Sequence, residues 1–218
     1  PSTMALAGLK SRAARAVQQC LWPQPGAVHV NAGMRKPLEP VLPSTSEERS
    51  LHEQVTALCS EAPVLEVPPD VRAEQTAVRE LAQRCRSLPR GLIVAGPAPL
   101  SQGSLVEDVR ALSQATGYPV LADLASQLGG GMPGHAVLDG LFLNQAGAEW
   151  LRPQMVLQLG AAPTSSHWSR FMSRCPQIER WVLARFGNQD PWNCAAGHLV
   201  GSLADTVPSL VAELASLG

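Results

Sequence analysis

The stretch GLIVAGPAPLSQGSLVEDVRALSQATGYPVLAD, residues 91–123, decides the fold. It opens with a short continuous apolar run, Gly91-Leu92-Ile93-Val94-Ala95, closed by Gly96. A run of that length with no polar alternation is a strand covered on both faces, as in a parallel sheet. Ser104-Leu105-Val106-Glu107 then has the spacing of a capping box, Leu105, Val109 and Leu112 share one helical face, and Gly117 ends the helix. A second run, Pro119-Val120-Leu121-Ala122-Asp123, follows at once. Strand, helix and strand in this order form a parallel crossover unit.

The same alternation continues toward the C-terminus. After a glycine-rich loop (Gly129–Gly134) and a helix predicted over 144–151, Met155-Val156-Leu157-Gln158-Leu159 is a third strand. Trp168, Phe171, Met172 and Cys175 stand at i, i+3, i+4 and i+7, the spacing of one buried helix face. Arg180–Ala184 is a fourth strand, and His198–Gly201 is a short extended piece before a helix on Leu203, Val207, Leu210, Val211 and Leu214. Upstream, Val71, Val78, Leu81 and Cys85 predict a helix from Asp70 to about Leu88. The fold class is therefore α/β, a doubly wound, mainly parallel sheet over 70–218 containing strands 91–95, 119–123, 155–159 and 180–184. Loops 96–103, 123–134, 160–166 and 185–193 should then share the rim at the carboxyl ends of the strands, where such sheets bind ligands.

The N-terminal third is organised differently. Leu6, Leu9, Ala13, Val17 and Leu21 predict a helix over 3–21 that stops near Pro23, and Ala27–Asn31 reads as a short strand. Pro37, Pro40 and Pro43 disfavour regular structure beyond it, residues 44–62 carry only a weak helical pattern, and the domain boundary falls within 37–69.

Composition excludes several functions. The chain has 218 residues with 17 basic and 18 acidic groups, and no run of like charge marks a nucleic-acid or anionic-membrane surface. It shows neither a membrane-spanning apolar stretch nor a secretion signal, which reads as a soluble, cytoplasmic protein. The five cysteines (20, 59, 85, 175 and 194) contain no CxxC pair and read as reduced thiols. Only Lys10 and Lys36 are lysines, which disfavours Schiff-base chemistry, and neither SxxK nor GxSxG is present. The histidines at 29, 52, 135, 167 and 198 show no metal-binding spacing. Gly96–Gly103 joins a strand to a helix but has neither phosphate-binding glycine motif. Thr164-Ser165-Ser166-His167 lies in a second such loop, where hydroxyls either cap the helix or meet a carboxylate or phosphate. No nucleophile–base constellation stands out.

Gly26-Ala27-Val28-His29-Val30-Asn31-Ala32-Gly33-Met34-Arg35-Lys36-Pro37-Leu38-Glu39-Pro40 resembles the GPVHxNxPFRxPL stretch of one thiamine-diphosphate enzyme family, 2-succinyl-5-enolpyruvyl-6-hydroxy-3-cyclohexene-1-carboxylate synthase (MenD). Gly91–Gly96, Pro119–Leu124 and Leu159–Ser165 resemble further pieces of its central domain. Gly33-Met34 departs from the family's Pro-Phe, and Ser166 stands where a lysine commonly follows the Thr-Ser pair.

The resemblance implies a division into three parts: residues 1–36 as the end of a pyrimidine-binding domain, 37–69 as a linker, and 70–218 as a Rossmann-like central domain. It also implies a parent transferase of menaquinone and phylloquinone biosynthesis. That enzyme, with thiamine diphosphate and magnesium, decarboxylates 2-oxoglutarate and adds the product carbanion to isochorismate. The family's activating glutamate is expected before residue 1, and its GDG…N diphosphate motif after residue 218. The chain alone is accordingly expected to be inactive, to bind neither cofactor, and to need the remaining domains of the parent as partners. Exposed apolar faces on residues 3–36 would favour a homo-oligomer. Thr164, Ser165, Ser166 and His167, with Arg185 on the next strand end, become candidates for holding the carboxylates of isochorismate. Two other readings are a non-catalytic Rossmann-type ligand-binding or regulatory module, and the central domain of an acetolactate synthase relative.

Overall fold

The computed structural model describes residues 2–34, 39, 42–63, 67–128, 136–142, 151–187 and 189–218. The chain divides into two compact units, Pro1–Pro69 and Asp70–Gly218.

In the first unit, helix α1 (Thr3–Gln19) starts at Ser2, whose hydroxyl accepts from the Ala5 amide. Helix α2 (Ser46–Ser60) grows out of the weakly patterned segment through a reciprocal capping box between Thr45 and Glu48. Lys10 of α1 donates to the carbonyls of Leu58 (2.6 Å) and Glu61 (2.7 Å) at the end of α2. No described residue of either helix is fully buried, and an open apolar groove of about 470 Å³ is lined by Leu6, Leu9, Val17, Val55 and Leu58. Ala27–Asn31, expected as a strand, has no strand pairing. A strand needs a neighbour for its amides and carbonyls, and every described strand lies beyond residue 90.

The second unit is the expected doubly wound sheet. Strands β1 (Gly91–Ala95), β2 (Val120–Ala122), β3 (Ala136–Val137), β4 (Met155–Leu159), β5 (Glu179–Ala184) and β6 (Gly197–Val200) are ordered β3-β2-β1-β4-β5-β6, and every pairing is parallel. Strand order reverses at β1, with β2 on one side and β4 on the other. Helices α3 (Gln75–Ser87), α4 (Val106–Thr116) and α7 (Leu203–Ser216) cover one face, where Leu81, Leu112, Val207 and Leu210 pack with Ile93, Met155, Leu157 and Leu183. Helices α5 (Leu138–Phe142) and α6 (Ser166–Arg174) cover the other, where Phe142, Trp168, Phe171 and Met172 pack with Leu92, Val94 and Val156. Alternate residues of β1 and β4 thus feed opposite cores, which is why these strands read as unbroken apolar runs.

Two local expectations change. Helix α4 begins at Val106 with buried Leu105 at its N-cap and no side-chain cap, so Ser104 lies outside the helix, exposed. Burial of Leu105 against the first core sets that boundary in place of the capping box. Helix α3 begins at Gln75, because the Glu74 carboxylate accepts from the Thr76 and Ala77 amides, and residues 70–73 are not helical. The two-residue edge strand β3 is too short to leave a pattern. The glycine-rich loop 129–134 and all but Leu151 of the helix expected over 144–151 lie outside the described residues.

Candidate functional site

Parallel pairing brings the exits of β1, β2, β4 and β5 to one rim, and short polar contacts tie the exits together. The Gly96 amide donates to Leu159 O (3.0 Å), and a Cβ on Gly96 would stand 1.7 Å from the Ala161 carbonyl oxygen. The crevice between β1 and β4, where strand order reverses and related sheets receive a nucleotide, is therefore filled by backbone. Between the β1 and β2 exits, the Ala98 amide donates to Ala125 O (3.0 Å). The expected loop 96–103 holds a short 3-10 turn, Leu100–Gln102, before α4.

Asp123, immediately past β2, reaches over the end of β1 to the β4–α6 loop. Its Oδ2 accepts from the amide (3.0 Å) and the hydroxyl (2.8 Å) of Thr164, and its Oδ1 accepts from the Ala125 amide (2.9 Å). Burial raises the Asp123 pKa, but the two amides and the hydroxyl outweigh it and hold the carboxyl below its usual range.

The candidate residues of the β4–α6 loop have separate roles. Thr164 is exposed, with both donors directed to Asp123. Ser165 is buried, and its hydroxyl accepts from the Trp168 amide at 3.1 Å, which makes it the N-cap of α6. Ser166 and His167 open the first turn of α6, Ser166 exposed and His167 half-buried. Arg185 is exposed one residue beyond β5, at the neighbouring exit, since Leu159 pairs with Leu183. The fold thus places all five residues on one rim, four of them on a single turn. The positive end of the α6 dipole adds about 0.3–1 kcal/mol toward an anion at an exposed site.

Sequence reasoning did not single out the groups that hold this rim. On the second face of the sheet, Gln158 is fully buried in β4 and donates to the carbonyls of Gly160 (3.2 Å) and Gln189 (3.0 Å). Arg180 of β5 is 0% exposed and is paired with Asp190. Asp190 also accepts from the amides of Trp192 (3.2 Å), Cys194 (2.7 Å) and Ala195 (2.7 Å), and the Trp192 ring covers the guanidinium at 4.7 Å. Gln158 and Arg180 together fold the segment after β5 back onto the sheet. An arginine inside an otherwise apolar strand was the available signal for this clamp, because such a charge requires a partner.

Among the described residues, no three of His, Cys, Asp and Glu gather where they could hold a metal ion. No described helix is long and apolar enough to cross a membrane.

A family model described as the middle domain of thiamine pyrophosphate matches residues 57–210. Among curated proteins, the chain is 37% identical to a 2-succinyl-5-enolpyruvyl-6-hydroxy-3-cyclohexene-1-carboxylate synthase of Sorangium cellulosum, over 98% of this chain and 36% of that protein. It is 34% identical to the synthase of that name from Halorubrum lacusprofundi, over 87% of this chain and 34% of the relative. The chain thus spans about a third of the length of these relatives. Among solved structures, a thiamin diphosphate-dependent enzyme from Mycobacterium smegmatis superposes with a TM-score of 0.53 at 16% identity, covering 70% of this chain and 30% of that one. Benzoylformate decarboxylase from Polynucleobacter necessarius gives 0.50 at 14% identity, covering 70% and 29%. At such identities the structural likeness establishes the fold.

Proposed function

Since the chain belongs to the family of thiamine pyrophosphate middle domains, we propose that it is the central part of a thiamine-diphosphate-dependent synthase of menaquinone and phylloquinone biosynthesis. The parent decarboxylates 2-oxoglutarate and adds the resulting carbanion to isochorismate. The observation that carries this reading is the match to a synthase of that name at 37% identity across 98% of the chain. In this reading Asp70–Gly218 is the central domain, 37–69 the linker, and residues 1–36 the end of the pyrimidine-binding domain. The parent is a cytoplasmic homo-oligomer.

The described residues do not fit the cofactor centre. Among the described residues, no three of His, Cys, Asp and Glu gather where they could hold magnesium. No step of the reaction is therefore assigned to this chain's residues through that group. Their part is orientation: the turn Thr164–His167, the positive end of α6 and Arg185 present donors at the rim to the carboxylates of isochorismate. Thr164 directs its amide and hydroxyl to Asp123 and Ser165 caps α6, and in this reading Ser166, His167 and Arg185 are the side chains that face substrate.

The test is an assay of carbon dioxide release from 2-oxoglutarate that depends on isochorismate, with thiamine diphosphate and magnesium present. It compares the 218-residue chain with the full-length protein that contains it. Activity only in the longer protein, and no calorimetric binding of thiamine diphosphate by the shorter, is the expected result. A full-length protein that ignores isochorismate, or micromolar cofactor binding by the chain alone, refutes the reading.

A further inference from the structure

Asp123 is the acidic group that ties the β2 exit to the candidate turn, and the motifs and the family reading leave it without a role. It stands past β2, and the residue it grips stands past β4, so the bond crosses the end of β1 where strand order reverses. A carboxylate oxygen accepting both the amide and the hydroxyl of one threonine is the arrangement that a bound carboxylate would adopt on the same turn. Here the protein supplies that carboxylate itself.

We propose that Asp123 is a positioning and selectivity residue of the rim. Its carboxylate occupies both donors of Thr164, fixes the turn that presents Ser166 and His167, and sets a permanent negative charge beside the entering anion. The proposal rests on the reading of this turn as a carboxylate-binding site and deepens it. Two consequences separate it from a purely structural role. Thr164 becomes dispensable for ligand contact, although it is exposed on the candidate loop. Removing the Asp123 charge then has opposite effects, lowering the stability of the turn while raising affinity for an anion.

The experiment uses the 218-residue chain, with succinate as the probe, followed by nuclear magnetic resonance of backbone amides and carboxyl carbons. In the wild type, the Thr164 amide shift should follow the Asp123 carboxyl titration with one shared midpoint, below the usual aspartate value of 3.8. A Thr164 amide that does not follow Asp123 overturns the proposal, whatever the ligand does. In the succinate titration, T164V should change the dissociation constant by less than about twofold, S166A or H167A should weaken it by about threefold or more, and D123N should tighten it by about fivefold, the size of one Coulomb interaction near 5 Å in a largely aqueous surrounding. D123N should also lower the midpoint of thermal unfolding. Weakening by T164V equal to that by S166A, or by D123N alongside its loss of stability, overturns the proposal. Absence of succinate binding in wild type and D123N alike overturns the carboxylate reading of the turn and the selectivity role with it, while the shared pH titration separately decides whether Asp123 positions Thr164. The wild-type titration needs no variant to fold.

Discussion

Removing Asp190 should cost more stability than removing Arg180, although the two form one ion pair. The asymmetry comes from what each partner keeps. Without Arg180, Asp190 retains the amides of Trp192, Cys194 and Ala195, which favour its charged form. Without Asp190, the guanidinium stays in a fully buried position with the Trp192 ring at 4.7 Å and the Cys194 side chain beside it but no described carboxylate, and among the described residues its Nε and Nη1 have no hydrogen-bond partner. Breaking a buried pair by leaving one charge uncompensated costs about 3–5 kcal/mol, and D190A also orphans the amides that the carboxylate had satisfied. We expect D190A to lose about 3–5 kcal/mol and R180M at least about 1 kcal/mol less, methionine filling much of the vacated space. At about 2–4 °C per kcal/mol for a domain of this size, D190A should lower Tm by about 6–20 °C. Urea unfolding followed by circular dichroism measures both variants, with a shift of midpoint at constant slope as the sign of a stability change. Equal losses, or a larger loss in R180M, would show that the amide bonds to Asp190 do not sustain its charge and would refute the reasoning.

Three other outcomes are expected. G96A places a methyl carbon 1.7 Å from the Ala161 carbonyl oxygen, so the β1 and β4 exits must part and thermal unfolding should come earlier by at least about 2 kcal/mol. Asp123 has a depressed pKa in the folded chain, so its stabilisation is present above the unfolded value near 3.8 and disappears as pH falls through the lower folded value. The acid limb of the stability curve should therefore be shallower in D123N than in wild type below about pH 4, and superimposable limbs would contradict the bonding described. Leu9 and Val17 of α1 are 65% and 62% exposed beside the apolar groove, so the chain should self-associate with rising concentration in sedimentation velocity, and L9E/V17E should keep it monomeric.

The architecture of the second unit is readable because its signals are local. Gly91–Ala95 and Met155–Leu159 announce burial on both faces through unbroken apolar character, and Trp168, Phe171 and Met172 announce one helical face through spacing alone. What escaped the reading depends on partners distant in the chain. Leu105 displaces Ser104 from the start of α4 because a core assembled from other elements claims the leucine. Ala27–Asn31 has a strand's composition but pairs with no strand among the described residues. The candidate turn at Thr164–His167 was visible as a strand-to-helix junction rich in hydroxyls, whereas its fastening was not. Asp123 lies forty-one positions away from Thr164, and no periodicity links them. Arg180, a charge inside an apolar strand, announces a partner, but its identity, Asp190, appears only when the following segment folds back across it.

The close approach of Gly96 to Ala161 also bears on how this sheet could change over evolutionary time. In doubly wound domains that hold nucleotides, a phosphate group lies at the reversal of strand order, against free amides at the start of a helix. Here main-chain atoms of the β4 exit occupy that space, and the glycine opposite them has no side chain left to remove. Point substitutions at this position can only crowd the crevice further. Room for a phosphate there has to come from a shift of the Ala161 backbone, and so from the β4 exit and not from a side chain.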